Sequence, residues 1–156
     1  MDERRIVSVT VINEHGVLSR ISGLFAGRGY NIESLTVAPI PESEFSRITI
    51  VTFGNTRVLE QIIKQLHKLI PVFKVVEHEE MVEKELALVK FSTDVPFADI
   101  VALSKAYNGG ITNVGDICVI VMVSDKPNRI TNYLKAIKKF NPIEIVRGGV
   151  VSIERN

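Results

Sequence analysis

The sequence predicts an α+β fold of two tandem βαββαβ sandwiches, on three observations. Val7, Val9 and Val11 alternate with Ser8 and Thr10, the period of a half-buried strand. After Asn13-Glu14-His15-Gly16 the period changes, and Val17, Leu18, Ile21, Leu24, Phe25 and Arg28 recur at helical spacing. The order strand, helix, strand, strand, helix, strand then runs to Val76 and recurs beyond a charged seam, which is the ferredoxin-like arrangement of helices on one face of an antiparallel sheet.

The first helix ends at Gly27 and Gly29, since glycine accepts the left-handed conformation a helix C-terminus commonly needs. Ile32 to Ala38 reads as a strand, and Pro39-Ile40-Pro41-Glu42-Ser43 interrupts it because proline cannot donate to a ladder. Ser46 to Phe53 is a third, β-branched strand. Gly54-Asn55-Thr56 breaks it and offers capping side chains to a helix with the stripe Val58, Leu59, Ile62, Ile63, Leu66 and Leu69. Pro71 and the strand Val72 to Val76 close the first unit.

His78-Glu79-Glu80-Met81-Val82-Glu83-Lys84-Glu85 is a polar, charged seam, so the domain boundary is placed there, with residues 1–78 before it and 79–156 after. The second unit begins with a strand from Leu86 to Phe91. Thr93-Asp94 offers caps for a helix carrying Phe97, Ile100, Val101 and Tyr107, with Pro96 in its first turn. Asn108-Gly109-Gly110 turns the chain into Ile111 to Val114. Gly115-Asp116 reads as a tight hairpin turn into Ile117 to Val123. Ser124-Asp125-Lys126-Pro127 starts a helix with Ile130, Tyr133, Leu134 and Ile137, and a last strand runs from Ile143 to Val146, with Val150 to Ile153 as its continuation past Gly148-Gly149.

Composition narrows the function. With 19 basic and 18 acidic residues in 156, the formal net charge of +1 gives no electrostatic case for nucleic acid or an anionic membrane. The third strand has no aromatic residue before Phe53 and the first has none, so base stacking on the central strands is not expected. The apolar run Ile117–Val123 falls far short of the roughly 20 residues a membrane span needs. One cysteine permits no internal disulfide, and the Met-Asp-Glu-Arg-Arg start has no apolar targeting core, so a cytoplasmic protein is expected. Units of about 75 residues bury little surface, and a sheet open at one edge finds cover in a second copy, so a homodimer is expected too.

Catalytic machinery is not expected. His15, His67 and His78 do not stand at metal-ligand spacing, and Cys118, within Ile117-Cys118-Val119-Ile120-Val121, reads as a buried inert thiol. No Gly-x-Ser-x-Gly elbow or phosphate loop appears. Arg4-Arg5 and Lys138-Lys139 read as solvated surface.

The candidate site is the seam at Gly16. A tight turn there leaves the first amides of the helix open, and with the positive end of the helix dipole they suit a carboxylate or phosphate. Asn13 stands just before the turn and Asn31 just after the helix, each offering donors and an acceptor without charge. The pattern suits a small zwitterion: carboxylate on the amides, ammonium on amide oxygens, side chain against Val17, Leu18 or Ile32. It also suits a plain turn at Gly16 capped by two asparagines, the simpler of the two readings that local chemistry leaves open.

Asn13-Glu14-His15-Gly16-Val17-Leu18-Ser19-Arg20, Gly23-Leu24-Phe25, Arg28 to Ala38 and Ser46-Arg47-Ile48-Thr49-Ile50-Val51 resemble the regulatory small subunit of acetolactate synthase (acetohydroxyacid synthase). Glu60 to Leu69 continues the likeness, and Lys84 to Lys90 and Glu144 to Gly149 extend it weakly. The resemblance implies an ACT domain followed by a second ferredoxin-like domain. It further implies a chain without catalysis of its own that binds valine or a related branched-chain amino acid between the ACT domains of two copies. Such a chain activates a separate catalytic large subunit and confers feedback inhibition on it. Thiamine diphosphate, magnesium and FAD are implied only for that partner. By motif position the effector contacts fall on Asn13, Gly16, Val17, Leu18, Asn31 and Ile32, which favours the ligand reading of the turn. Pro39-Ile40-Pro41-Glu42 departs from the family's Thr-rich acidic connection, and Gly148-Gly149 from its small hydroxylated residue before the glycine. The alternative is a free-standing ACT-type amino-acid sensor without an enzyme partner.

Overall fold

The structure is a computed structural model and describes residues 2–77 and 80–156. His78 and the boundary expected between residues 78 and 79 lie outside the described residues. The chain forms two compact units: one comprises residues up to Val82 together with Ser152–Asn156, the other Glu83–Val151.

In the first unit the elements are β1 (Asp2–Ile12), α1 (Val17–Gly27), β2 (Asn31–Pro39), β3 (Phe45–Asn55), α2 (Thr56–Lys68) and β4 (Val72–Val76). The sheet has the order β2-β3-β1-β4, with every neighbouring pair antiparallel. Alternation sends Val7, Val9, Val11, Ile48 and Ile50 to one face. There they meet Val17, Ile21 and Phe25 of α1 and Leu59, Ile62 and Leu66 of α2, so both helices lie on that face. The α2 start follows the expected chemistry, since the Asn55 side chain accepts from the Arg57 N–H at 2.9 Å. Ser152 belongs to this unit through its carbonyl, which accepts from Arg47 Nη2 at 2.6 Å.

The second unit runs β5 (Met81–Ser92), α3 (Phe97–Ala106), β6 (Gly110–Val114), β7 (Cys118–Asp125), α4 (Pro127–Ala136), a 3-10 turn (Ile137–Phe140) and β8 (Glu144–Glu154). Its sheet order is β6-β7-β5-β8. Val89, Phe91, Val119, Val121 and Val123 face Ile100, Ile130, Tyr133 and Ile137 across the core.

Four details depart from the sequence reading. Part of the charged seam is strand, because in β5 Glu85 faces inward and is buried, where the fork of Arg147 binds it at 2.5 and 2.9 Å. The tight β6–β7 turn lies one residue further on than expected: Gly115 N–H donates to the Cys118 carbonyl at 2.8 Å across Asp116 and Ile117, so Ile117 belongs to the turn and β7 begins at Cys118. Cys118 is half-buried rather than enclosed. Thr93 and Asp94 do not cap α3, whose N-cap is Pro96 without a side-chain cap. The final strand does run unbroken through Gly148-Gly149. A Cβ at Gly148 would lie 3.3 Å from the Leu86 carbonyl, so the glycine permits a close approach of backbones.

Candidate functional site

The β1–α1 turn is pinned from both sides. Ile12 N–H donates to the Pro71 carbonyl at 2.9 Å, before β4, and Asn13 N–H to the Glu44 carbonyl at 3.2 Å, before β3. Between these anchors and the helix stands Gly16 at φ +80°, the left-handed region that residues with a Cβ avoid. Gly16 itself is the N-cap of α1. Among the described residues no side chain caps this end, and no acidic residue stands in the first turn. Neither Asn13 nor Asn31 therefore serves as the cap that the plain-turn reading requires. The amides at the helix mouth keep their donor capacity and the dipole end is uncompensated, an arrangement that suits an anionic oxygen.

The neighbouring side chains divide by role. Val17 is buried in the core, so it offers the mouth its N–H and not its side chain. Leu18 is 42% exposed, and Asn13 is exposed. These four positions, Asn13, Gly16, Val17 and Leu18, come together at one end of the sheet.

Asn31 and Ile32 do not join them. Asn31 pairs with Phe53, which pairs with Arg4 near the start of β1, whereas Ile12 at the end of β1 pairs with Phe45. Nine residues of β1 direction separate the level of Asn31 from Asn13, roughly 30 Å at about 3.3 Å per residue. A single small molecule cannot touch both asparagines of one copy.

The surroundings of Asn31 are built by residues that the sequence did not single out. Thr52 Oγ donates to the Asn31 carbonyl at 2.8 Å. Tyr30, next to Asn31, donates its hydroxyl to the Asn55 carbonyl and sets its ring edge-on to Phe25, with centroids 6.4 Å apart. A Cβ at Gly54 would lie 2.9 Å from the Tyr30 ring, so the glycine leaves room for it. Burial pushes the Tyr30 hydroxyl pKa up. Directly after Ile32 the β2–β3 register shifts, a bulge that leaves Glu33 exposed and turns the head of the strand. Thr52, Gly54 and Asn55 lie more than 20 positions from the residues they meet, and no local pattern signals them.

Among the described residues no group of three or more His, Cys, Asp or Glu is placed to hold a metal, and no helix is long and apolar enough to cross a membrane.

Residues 7–74 match the family described as the AHAS small subunit-like ACT domain, so the class defined by this sandwich and its strand–helix turn is the ACT domain. Residues 84–156 match the small subunit of acetolactate synthase. The chain is 43% identical to the acetolactate synthase small subunit of Buchnera aphidicola subsp. Baizongia pistaciae, over 99% of both chains. It is also 43% identical to the acetolactate synthase isozyme 3 small subunit of Escherichia coli K12, over 97% of this chain and 96% of that one. The crystal structure of an acetolactate synthase small subunit from Thermotoga maritima superposes with a TM-score of 0.89 at 32% identity, covering 99% and 98% of the two chains. The chain belongs to the acetolactate synthase small-subunit family.

Proposed function

We propose that the chain is a non-catalytic regulatory subunit that binds valine, or a close branched-chain amino acid, between two copies. It activates a catalytic acetolactate synthase large subunit in the cytoplasm and confers feedback inhibition on it. Thiamine diphosphate, magnesium and FAD belong to that partner.

The observation that carries this reading is the separation of the two halves of the site. The half at Gly16 supplies amides for a carboxylate, and the half at Asn31 supplies an exposed carboxamide and the half-buried side chain of Ile32. Within one copy they lie at opposite ends of the sheet, while β2 is an edge strand that runs from Asn31 to Pro39, the latter level with the start of β3. An antiparallel two-fold pairing along β2 carries Asn31 of each copy to the end from which α1 of the other begins. The zwitterion then meets amides from one copy and a carboxamide from the other, with Leu18 and Ile32 beside its alkyl group. Because such a ligand binds only the paired arrangement, it shifts the equilibrium between arrangements by its differential affinity. A coupling of about 1–3 kcal/mol gives roughly a 5- to 150-fold effect on the partner.

The test is calorimetric titration of the purified chain with valine, followed by assay of the reconstituted enzyme with and without valine. Saturable binding, activation by the chain and inhibition by valine are expected. Binding with no effect on any large subunit leaves a free-standing sensor, and absence of binding overturns the site.

A further inference from the structure

We infer that Thr52 is a positioning residue of this site: its hydroxyl sets the backbone of Asn31 from which the carboxamide is presented. The inference rests on the reading of Asn31 as a ligand contact. Thr52 lies on β3 two residues beyond Ile50, on the face that carries the core, and is fully buried. A valine would fill that place with no polar atom to satisfy, so packing alone gives no reason for a hydroxyl. Among the described residues the hydroxyl has one hydrogen-bond partner, the carbonyl of Asn31 at 2.8 Å.

That bond falls at the head of the strand, next to its irregularity. Asn31 is the first residue of an edge strand whose register shifts one residue after Ile32. On its other side Tyr30 is tied down by its N–H on the Phe25 carbonyl at 2.9 Å and by its hydroxyl on the Asn55 carbonyl. Thr52 thus holds the peptide group that follows Asn31, and Tyr30 anchors the residue before it, while the Asn31 side chain stays exposed. A fixed backbone under a free carboxamide lowers the ordering that ligand binding must otherwise impose.

The experiment compares T52V, T52S and N31A in the full-length chain by valine calorimetry, with thermal melts in parallel. T52V keeps the volume and loses the donor; T52S keeps the donor and loses a methyl group. Valine affinity is expected to fall about 3- to 10-fold in T52V, the size of one net hydrogen bond, and to stay within about twofold of the parent in T52S. Stability follows packing instead, so a purely structural Thr52 makes T52S no better a binder than T52V. Should T52V fail to fold, Thr52→Cys, a weak donor of similar size, is read the same way. Unchanged affinity in the donor-less variant beside a lost affinity in N31A overturns the inference and leaves the site standing. Unchanged affinity in N31A overturns the site, and the inference with it.

Discussion

Asn13 and Asn31, the two carboxamides nearest the ends of α1, stand at opposite ends of one antiparallel sheet, Asn13 beyond the Ile12–Phe45 pair and Asn31 opposite Phe53. In the proposed site, replacing either by Ala is expected to remove one half without touching the core, since both are exposed. Each variant is expected to lose valine affinity by about 10-fold or more while still activating the large subunit. Isothermal titration and activity assays of the reconstituted enzyme check the two properties separately.

Gly16 is the conformational requirement at the helix mouth. A Cβ there meets no atom within 4 Å, so the cost of Gly16→Ala comes from φ +80° and not from a clash. The expected loss of stability is about 1–2 kcal/mol. Valine affinity falls with it, because a turn that relaxes toward negative φ swings the first amides away. Urea unfolding midpoints and valine titration measure the two effects.

Arg147 and Glu85 form a fork of two bonds, and the same guanidinium donates to Thr131 Oγ at 3.1 Å and the Pro127 carbonyl at 3.3 Å. Arg147→Ala strands the Glu85 carboxylate, whose side chain is 5% exposed, without its cation. Because the Arg147 side chain is itself 38% exposed, the cost is nearer about 2 than 5 kcal/mol. A combined E85L/R147L variant recovers much of that loss, as removal of both partners avoids an unpaired buried charge.

Tyr133 carries a buried hydroxyl with no hydrogen-bond partner among the described residues, and burial pushes its pKa up to about 12. A phenol whose folded pKa is raised contributes stability below its unfolded value near 10, and that contribution is lost as pH rises from about 10 to about 12. Tyr133→Phe is expected to keep or raise the melting temperature at neutral pH, since no bond is broken. It should also blunt the alkaline loss, which melts between pH 8 and 12 would follow.

Asp125 shifts the other way. The Arg129 guanidinium, with Nε 2.6 Å from Oδ2, holds its carboxyl below the usual value, and the backbone N–H of Lys126 adds to this. A depressed folded pKa gives stability that is present above the unfolded value of about 4 and is lost as pH falls through the folded one. Arg129→Ala should therefore narrow the stability difference between pH 6 and pH 3, as read from urea midpoints.

The sequence makes much of this legible because local chemistry and global fold agree where it matters. The switch of apolar period at Gly16 marks both the strand and the helix, and the Asn55 cap marks the next helix. Residues 81–85 read as a linker because the inward positions of β5 carry Glu83 and Glu85, and the cation that makes Glu85 tolerable lies 62 residues away on β8. Thr52 is hidden for the same reason. Its hydroxyl reads as ordinary strand composition until β2 folds beside it and places the Asn31 carbonyl within hydrogen-bond reach. The opposite placement of Asn13 and Asn31 is a property of register, which no residue near either one encodes.

Mixing N13A and N31A chains tests the shared site most directly. If each site takes Asn13 from one copy and Asn31 from the other, co-refolded heterodimers contain one intact site. An equimolar mixture should then bind valine at about one site per four chains while each variant alone binds weakly. A co-refolded mixture that binds no better than the two variants measured apart would contradict a site shared between two copies.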